Sequence, residues 1–296
     1  MAVHPKPAMQ RPCIHQQMST QQQGFTLFEL VLVIVLLGIA GVGISQLMPR
    51  LAELYWQQAQ QEQLLQQSRF LLERLSREIR AAVPYSLRHH HSNQMECLEF
   101  VRYQASGRYR ELPKLPDTAN QLRLLSLDPA LAPALQVSAG QWLLIQPRST
   151  VDIYQNSSQK VALAAAPTVN DADGETATIT VQLAQPHGFA VESPAQRFYL
   201  LQDAVSFCIE GQQLRRYQGY GLQAQQPLPG AGLDRAQGQL LAEQLQTQMA
   251  TEPVFHLVTA GFHSQSFVRI FLQLANPAEP DVAMVFNHLV QVDNVP

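Results

Sequence analysis

The residues with the most distinctive chemistry lie near the N-terminus, where Gly24-Phe25-Thr26-Leu27-Phe28-Glu29 leads into an apolar run. This run, from Leu30 to Ile44, contains no charge. Glu29 therefore lies just inside a segment that is long enough to enter a bilayer. A carboxylate costs on the order of 2.5–3.5 kcal/mol at the centre of a membrane helix, and less near the interface. We therefore expect Glu29 to have a function and a partner of opposite charge.

The small residue that could mark a cleavage site lies before the apolar run, at Gly24. Cleavage after Gly24 would free the amine of Phe25 and leave the apolar helix attached to the product. The alternative for Glu29 is a carboxylate that reaches the lipid headgroups.

The segment itself predicts a membrane helix over residues 25–48. Between Leu27 and Met48 only Glu29, Ser45 and Gln46 interrupt the apolar character. A buried helix of a soluble core is the alternative, but an uninterrupted apolar run forms no amphipathic face. A secretory signal peptide would also place an apolar region here, yet no Ala-x-Ala pattern follows it.

Other residues that could do chemistry carry weaker signals. His89 to His91 could bind a metal, but three consecutive residues cannot all face one ion, so we expect a solvated loop. Asn170 to Glu175 resembles part of a calcium loop without its full spacing, so we expect a turn, with calcium binding near Asp171 to Glu175 as the alternative. The sequence has no nucleophile elbow, phosphate loop, Cys-x-x-Cys or His-Glu-x-x-His motif. We therefore expect no catalytic residues, metal or cofactor.

Beyond Pro49 the sequence predicts an amphipathic helix over residues 49–83, which Val83-Pro84 ends. Arg74 and Glu78 form an (i, i+4) pair that we place on its outer face. Its apolar stripe consists of Leu51, Leu54, Leu65, Leu72, Leu75 and Ile79. Such a stripe must be buried somewhere, and a sheet is the natural partner.

From residue 95 onward the sequence predicts mainly strands, with a hairpin around Gly211-Gln212. The predicted strands are 95–103, 142–147, 151–155, 160–165, 176–183, 197–202, 204–210, 213–219, 254–260, 266–274 and 282–292. Two further segments, 118–127 and 237–247, are predicted as helices. We expect an α+β fold with a long N-terminal helix, membrane half plus amphipathic half, packed on a large antiparallel β-sheet head at residues 84–296.

Gly24, Phe25 and Glu29, followed by the apolar helix, resemble the N-terminal signal of type IV prepilins and type II secretion pseudopilins. The order of elements is similar to the type IV pilin fold. The resemblance implies a leader at residues 1–24 and a prepilin peptidase that cuts after Gly24 and methylates Phe25. It implies that Glu29, then the fifth residue, pairs with the N-terminal ammonium of an adjacent subunit. Met1, Met9 and Met18 are possible starts, and Met18 would give a seven-residue leader like those common in prepilins.

The resemblance also implies partners and a location. The partners would be prepilin peptidase, other major and minor pilins and the inner-membrane assembly platform. The chain would cross the inner membrane once with its head in the periplasm, and then enter a pilus. The sequence has 20 Lys plus Arg and 23 Asp plus Glu residues without a basic stripe, so we expect no nucleic-acid partner.

An exported head bears on the cysteines, because an oxidising compartment favours disulfides. Cys13 lies in the leader, which leaves Cys97 and Cys208, both in predicted strands. We expect a disulfide between them, with two separate buried thiols as the alternative.

Motifs in the amphipathic helix and in the head resemble the minor pilins of MSHA pilus biogenesis. The helix motif is residues 66–80, and the head motifs are residues 197–201, 205–208 and 214–217 and the C-terminal residues 290–296. The related alternative is a minor pseudopilin of type II secretion. The alternative from another class is a membrane-anchored periplasmic enzyme.

Overall fold

The computed structural model describes residues 26–125, 139–164, 168–170, 178–246, 252–258, 266–276 and 279–292. Its helices are α1 at Leu27–Arg80 and α2 at Thr150–Tyr154. The first strands are β1 Arg88–His91, β2 Met95–Glu111, β3 Ala119–Leu125, β4 Trp142–Ile145, β5 Lys160–Ala162, β6 Thr168–Asn170, β7 Thr178–His187 and β8 Arg197–Glu210. The later strands are β9 Gln213–Gln218, β10 Leu228–Pro229, β11 Gly232–Leu233, β12 Gln239–Ala242, β13 Phe255–Val258, β14 Ser266–Asn276 and β15 Glu279–Val292.

Two compact units divide the chain after Gln58. The first unit is helical from Leu27 onward, and α1 continues through Pro49 without interruption. Its apolar side chains are exposed all round the helix, as the consecutive residues Leu30, Val31, Leu32 and Val33 illustrate with exposed fractions of 58%, 50%, 44% and 43%. A helix that is apolar on every side needs an apolar environment, either lipid or other helices.

The second unit begins with the amphipathic part of α1. The buried positions of this part include Leu64, Ser68, Leu71, Leu75 and Ile79, which recur every three or four residues and so form one face. The predicted stripe is therefore confirmed at Leu75 and Ile79.

Leu72 is half-buried and packs against the same core as Leu75 and Ile79. Other members of that stripe were predicted wrongly, because Leu51 and Leu54 are exposed and Leu65 is only half-buried. The buried face is rotated because it includes Ser68, which donates its hydroxyl proton to the Leu65 carbonyl oxygen at 2.8 Å. A hydroxyl that is satisfied within its own helix can be buried at little cost, so the polarity of a serine does not exclude it from the core.

A ten-stranded antiparallel sheet forms most of the head. Its main order is β12-β9-β8-β2-β3-β7-β6, while β1 pairs with β2 and β4 pairs with both β5 and β8. The long central pair, β2 and β8, runs in register from Met95 opposite Glu210 to Arg108 opposite Arg197. The predicted strands 197–202 and 204–210 are thus parts of one strand.

The predicted hairpin at Gly211-Gln212 is confirmed. It joins β8 to β9, with Glu210 opposite Gln213. Gly211 has φ +58°, as the first central residue of a type II′ turn requires.

β13, β14 and β15 form a separate, three-stranded antiparallel sheet in that order. One core cluster joins the amphipathic part of α1 to this sheet and to the ten-stranded sheet. The cluster contains Leu75 from α1, Phe100 and Phe207 from the central strands, and Phe255 from β13, all essentially inaccessible to solvent. Each such side chain stabilises the fold by about 1.5–3 kcal/mol relative to an exposed position.

Two segments predicted as helices were predicted wrongly. Residues 118–127 contain β3, in which Leu122 and Leu124 are buried between exposed neighbours, so the period is two rather than 3.6. Residues 237–247 contain β12, preceded by a short 3-10 helix at Arg235–Gln237.

The predicted strand at 151–155 and the predicted loop at His89 to His91 were also wrong. The first is α2, because the Asp152 carboxylate accepts hydrogen bonds from the backbone N–H groups of Arg148 and Ser149 and so initiates a helix. The second is β1, which pairs with β2 and places its histidines in the main sheet.

Candidate functional site: the N-terminus of α1 and its attachment to the head

Thr26 caps the N-terminus of α1. The backbone N–H of Glu29 donates to the Thr26 hydroxyl oxygen at 3.3 Å, and that of Leu30 donates to the Thr26 carbonyl oxygen at 3.2 Å. Thr26 and Glu29 have the spacing of a capping box, a signal that the sequence analysis did not use. Gly24 and Phe25, the predicted processing residues, lie outside the described residues.

Glu29 occupies the first turn of α1, where the partial positive charge of the helix terminus favours an acid. Its side chain is exposed, and no side chain among the described residues forms an ion pair with it. With respect to the described part of the chain, the carboxylate is therefore available for a partner.

The apolar residues that follow give α1 the length and composition of a membrane-crossing helix. From Leu27 to Met48 the helix is about 33 Å long, close to the thickness of a bilayer hydrocarbon core. A Cβ atom added at Gly38, Gly41 or Gly43 would contact nothing within 4 Å. Glycines on an unpacked apolar helix leave room for the close approach of another helix.

Glu78 attaches the amphipathic part of α1 to the sheet. Its carboxylate accepts hydrogen bonds from Nε of Arg216 on β9 at 2.9 and 3.0 Å, and Nη2 of Arg216 lies 2.8 Å from Oε2. Arg74 and Arg102 complete the cluster at 3.3 and 3.8 Å. Burial lowers the pKa of Arg102, while the nearby Glu78 raises it.

The sequence analysis placed the Arg74–Glu78 pair on the outer face of the helix, and this was wrong for Glu78. Glu78 is buried, with 7% of its surface exposed, and Arg216 with 5%. The sequence gives no signal for this pair, because the two residues are separated by 138 positions and meet only when β9 joins the sheet.

The two cysteines of the head meet in the central strand pair. Cys97 on β2 lies directly opposite Cys208 on β8, their Cα atoms are 4.1 Å apart, and the structure joins them in a disulfide. Both are buried with Tyr217 and Leu233. The bond therefore links two strands that already form hydrogen bonds.

Lys160 is a buried cation without a carboxylate. Its Nζ donates to the Ile153 carbonyl oxygen at 2.6 Å and lies 4.7 Å from the centre of the Trp142 ring. Among the described residues none forms an ion pair with it. Burial lowers the pKa of Lys160 to about 8.

The sequence suggests two other candidate sites, both for a metal: the possible calcium loop and the three consecutive histidines. Asp171 to Glu175, the possible calcium loop, lie outside the described residues. His89 and His91 lie near the buried Glu96.

A long apolar N-terminal helix followed by a large antiparallel β-sheet is the architecture of an α+β, type IV pilin-like fold. Residues 19–45 match the family model described as the prokaryotic N-terminal methylation motif, and this motif indicates a type IV pilin-like prepilin. The match covers the predicted cleavage site, Glu29 and the first part of α1. No curated protein and no solved structure matches the chain.

The class of protein that this motif indicates, type IV pilin-like prepilins, suggests the general role of the chain. A motif of this kind points to a structural rather than a catalytic protein, and it implies processing by prepilin peptidase and assembly as a pilin. The single N-terminal apolar helix is consistent with anchoring in a membrane.

Proposed function

We propose that this chain is a minor type IV pilin of MSHA-type pilus biogenesis, similar in its head motifs to MshO. Prepilin peptidase cuts after Gly24 and methylates the amine of Phe25. The chain then consists of a membrane and filament-core helix at residues 25–48, an amphipathic helix at 49–83 and a periplasmic head at 84–296. From the inner membrane it enters the pilus together with other major and minor pilins through the assembly platform.

The observation that carries this proposal is the exposed carboxylate of Glu29, in the first turn of an unpacked apolar helix and without an ion-pair partner among those of residues 26–292 that the structure describes. Cleavage after Gly24 creates an ammonium four residues before it. When such helices assemble side by side, the ammonium of one subunit can neutralise Glu29 of the next, because a paired charge is far less costly in an apolar core than an isolated one.

Processing and assembly can be tested separately in the native host. We expect mass spectrometry to find methylated Phe25 as the first residue in wild-type cells and an uncleaved leader in a prepilin peptidase deletion. Gly24→Ala should block cleavage. Wild-type protein that retains residues upstream of Phe25 would contradict the proposal.

Assembly is tested with Glu29→Gln, which keeps the shape of the side chain and removes its charge. We expect normal cleavage of this variant and a smaller share of it in sheared pili. The matched control is Glu62→Gln, an exposed residue farther along α1, which should enter pili like the wild type. Equal incorporation of the two variants would argue against pairing through Glu29.

Deletion of the gene separates the remaining alternatives. A minor pilin predicts fewer surface pili, and a type II pseudopilin predicts loss of protein secretion with normal pili. A membrane-anchored periplasmic enzyme predicts normal pili and normal secretion, and it needs no prepilin peptidase.

A further inference from the structure

A group of metal-ligating side chains lies on one face of the β1–β2 hairpin, in a part of the head that the proposed function does not use. His89 and His91 are two residues apart on β1, so their side chains share a face, and His90 lies on the other. Glu96 on β2 is directly opposite His91. One ligand atom from each of His89, His91 and Glu96 lies within 4.8 Å of the other two, and His89 Nε2 is 2.9 Å from Glu96 Oε1.

Glu96 is held in a fixed position at the bottom of this group. Its side chain is fully buried. The backbone N–H of Val254 donates to Oε2 at 2.8 Å, and that of Phe255 donates to Oε1 at 2.7 Å. Backbone groups that orient a carboxylate in this way commonly support metal ligands.

His256 supplies a second, independent observation. Its Nε2 atom is buried and has no hydrogen-bond partner among the described residues. His256 directly follows Phe255, whose backbone N–H donates to Glu96. A buried polar atom without a partner costs about 1–3 kcal/mol, so a ligand at this position would relieve a penalty.

We propose that His89, His91 and Glu96 bind one divalent transition-metal ion, with Zn²⁺ as the best-fitting ion. Two imidazoles and one carboxylate are a common protein ligand set for zinc. Calcium and magnesium prefer sites made only of oxygen ligands.

The geometry requires little rearrangement. Zn–N and Zn–O distances of about 2.0–2.2 Å place tetrahedral ligands roughly 3.3 Å apart. Glu96 is fixed and His89 is already in contact with it, so the remaining adjustment falls on His91. His91 is exposed, and a change of side-chain rotamer moves its ring toward the other two ligands.

The proposed ligands lie on one sheet of the head, and the groups that orient Glu96 come from the chain segment of the other. β1 and β2 belong to the ten-stranded sheet, whereas the backbone groups that hold Glu96 and the His256 side chain belong to the segment that enters the three-stranded sheet. The ion binds the native arrangement and not the unfolded chain, so it should raise the melting temperature.

The test uses the full mature chain, purified in detergent without a histidine tag, treated with EDTA and titrated with ZnCl₂ by calorimetry. We expect one Zn²⁺ per chain and a rise in melting temperature that EDTA reverses. His91→Ala should weaken binding at least about 10-fold, since even outer groups that support a ligand are worth about 10–100-fold. Because His91 is exposed, this variant should fold like the wild type.

His90→Ala is the matched control. Its side chain lies on the opposite face of β1, so zinc affinity should not change. A run of surface histidines that binds zinc nonspecifically would lose affinity equally in the two variants. That result, or a wild-type chain that binds no zinc, would overturn the proposal.

Discussion

Glu29 and Lys160 each carry a charge in surroundings that disfavour it, and the cost of this charge is reduced in a different way for each residue. Glu29 lies in an apolar helix, and no described residue forms an ion pair with it, so another subunit or the membrane surface can supply its partner. Lys160 is only 6% exposed, and its Nζ donates to a backbone carbonyl oxygen and faces an indole ring. Neither of these groups neutralises a charge, so Lys160 can relieve its burial by losing a proton.

The pKa of Lys160 makes stability depend on pH in a defined window. The folded chain loses this proton near pH 8, whereas the unfolded chain keeps it until about pH 10.5. Between these values the unfolded state binds more protons, so the free energy of unfolding should rise with pH. We expect urea unfolding at pH 7.5, 8.5 and 9.5 to show increasing stability, before tyrosine ionisation near pH 10 intervenes.

Two lysine variants isolate this effect. Lys160→Met should remove the rise between pH 8 and 9.5. Lys114→Met should retain it, because Lys114 is more than half exposed and pairs at the surface with Glu192. A rise of the same size in Lys160→Met would show that another group titrates in this window.

The sequence predicted some of these residues because their signal is local. Glu29 stands out against fifteen apolar neighbours, and cysteines in a head that is predicted to be exported suggest a disulfide wherever the strands lie. Glu78 and Glu96 give no such signal, because the groups that bind them are 138 and 158 positions away. Lys160 gives none either, because a lysine in a short strand is ordinarily exposed. Three consecutive histidines predicted a solvated loop. In the structure, pairing of β1 with β2 brings two of them, His89 and His91, to the side of Glu96.

At the scale of elements, the amphipathic part of α1 packs on the sheets through its apolar face and through one buried carboxylate among three arginines. Glu78→Gln would leave the buried Arg216 without its counter-ion. Removal of one member of a buried pair costs about 3–5 kcal/mol. We expect a loss of this size in the free energy of unfolding of the head, measured by urea denaturation.

A neighbouring residue provides the control for this prediction. Glu73→Gln changes an exposed acid on the same helix and should alter stability by about 0.5 kcal/mol or less. Replacing both partners, with Glu78→Leu and Arg216→Met, should recover part of the loss, since Arg216, the most buried of the three arginines, is then removed together with its counter-ion. If Glu78→Gln and Glu73→Gln have the same stability, the cluster does not hold the helix.

Element type was predictable where the pattern was long, and unreliable where it was short. α1 and the strands that form most of the sheet follow from extended apolar periodicity. β3 and α2 were assigned to the wrong class because seven and five residues do not distinguish the two periods, and pairing with β2 and β7 or an aspartate cap decides the outcome. Such decisions come from tertiary contacts, which a local pattern does not contain.

At the scale of the whole molecule, the Cys97–Cys208 bond closes a loop with a sequence separation of 111. In the chain-entropy treatment a loop of this length stabilises the fold by up to about 4–5 kcal/mol. We expect Cys97→Ala/Cys208→Ala to unfold at lower urea concentration than the oxidised wild type. Dithiothreitol should lower the midpoint of the wild type and leave that of the double variant unchanged. Sensitivity of the double variant to dithiothreitol would mean that the effect does not come from this bond.

The same bond governs what a protease can release from the head. Any single cut between Cys97 and Cys208 leaves two fragments that remain covalently attached, so a nicked molecule keeps its full mass on a non-reducing gel. Two regions lie outside this loop: α1, which ends before Cys97, and the three-stranded sheet, which follows Cys208. A cut in either region can therefore detach a fragment, and comparison of reduced with non-reduced digests would locate each cleavage relative to the two cysteines.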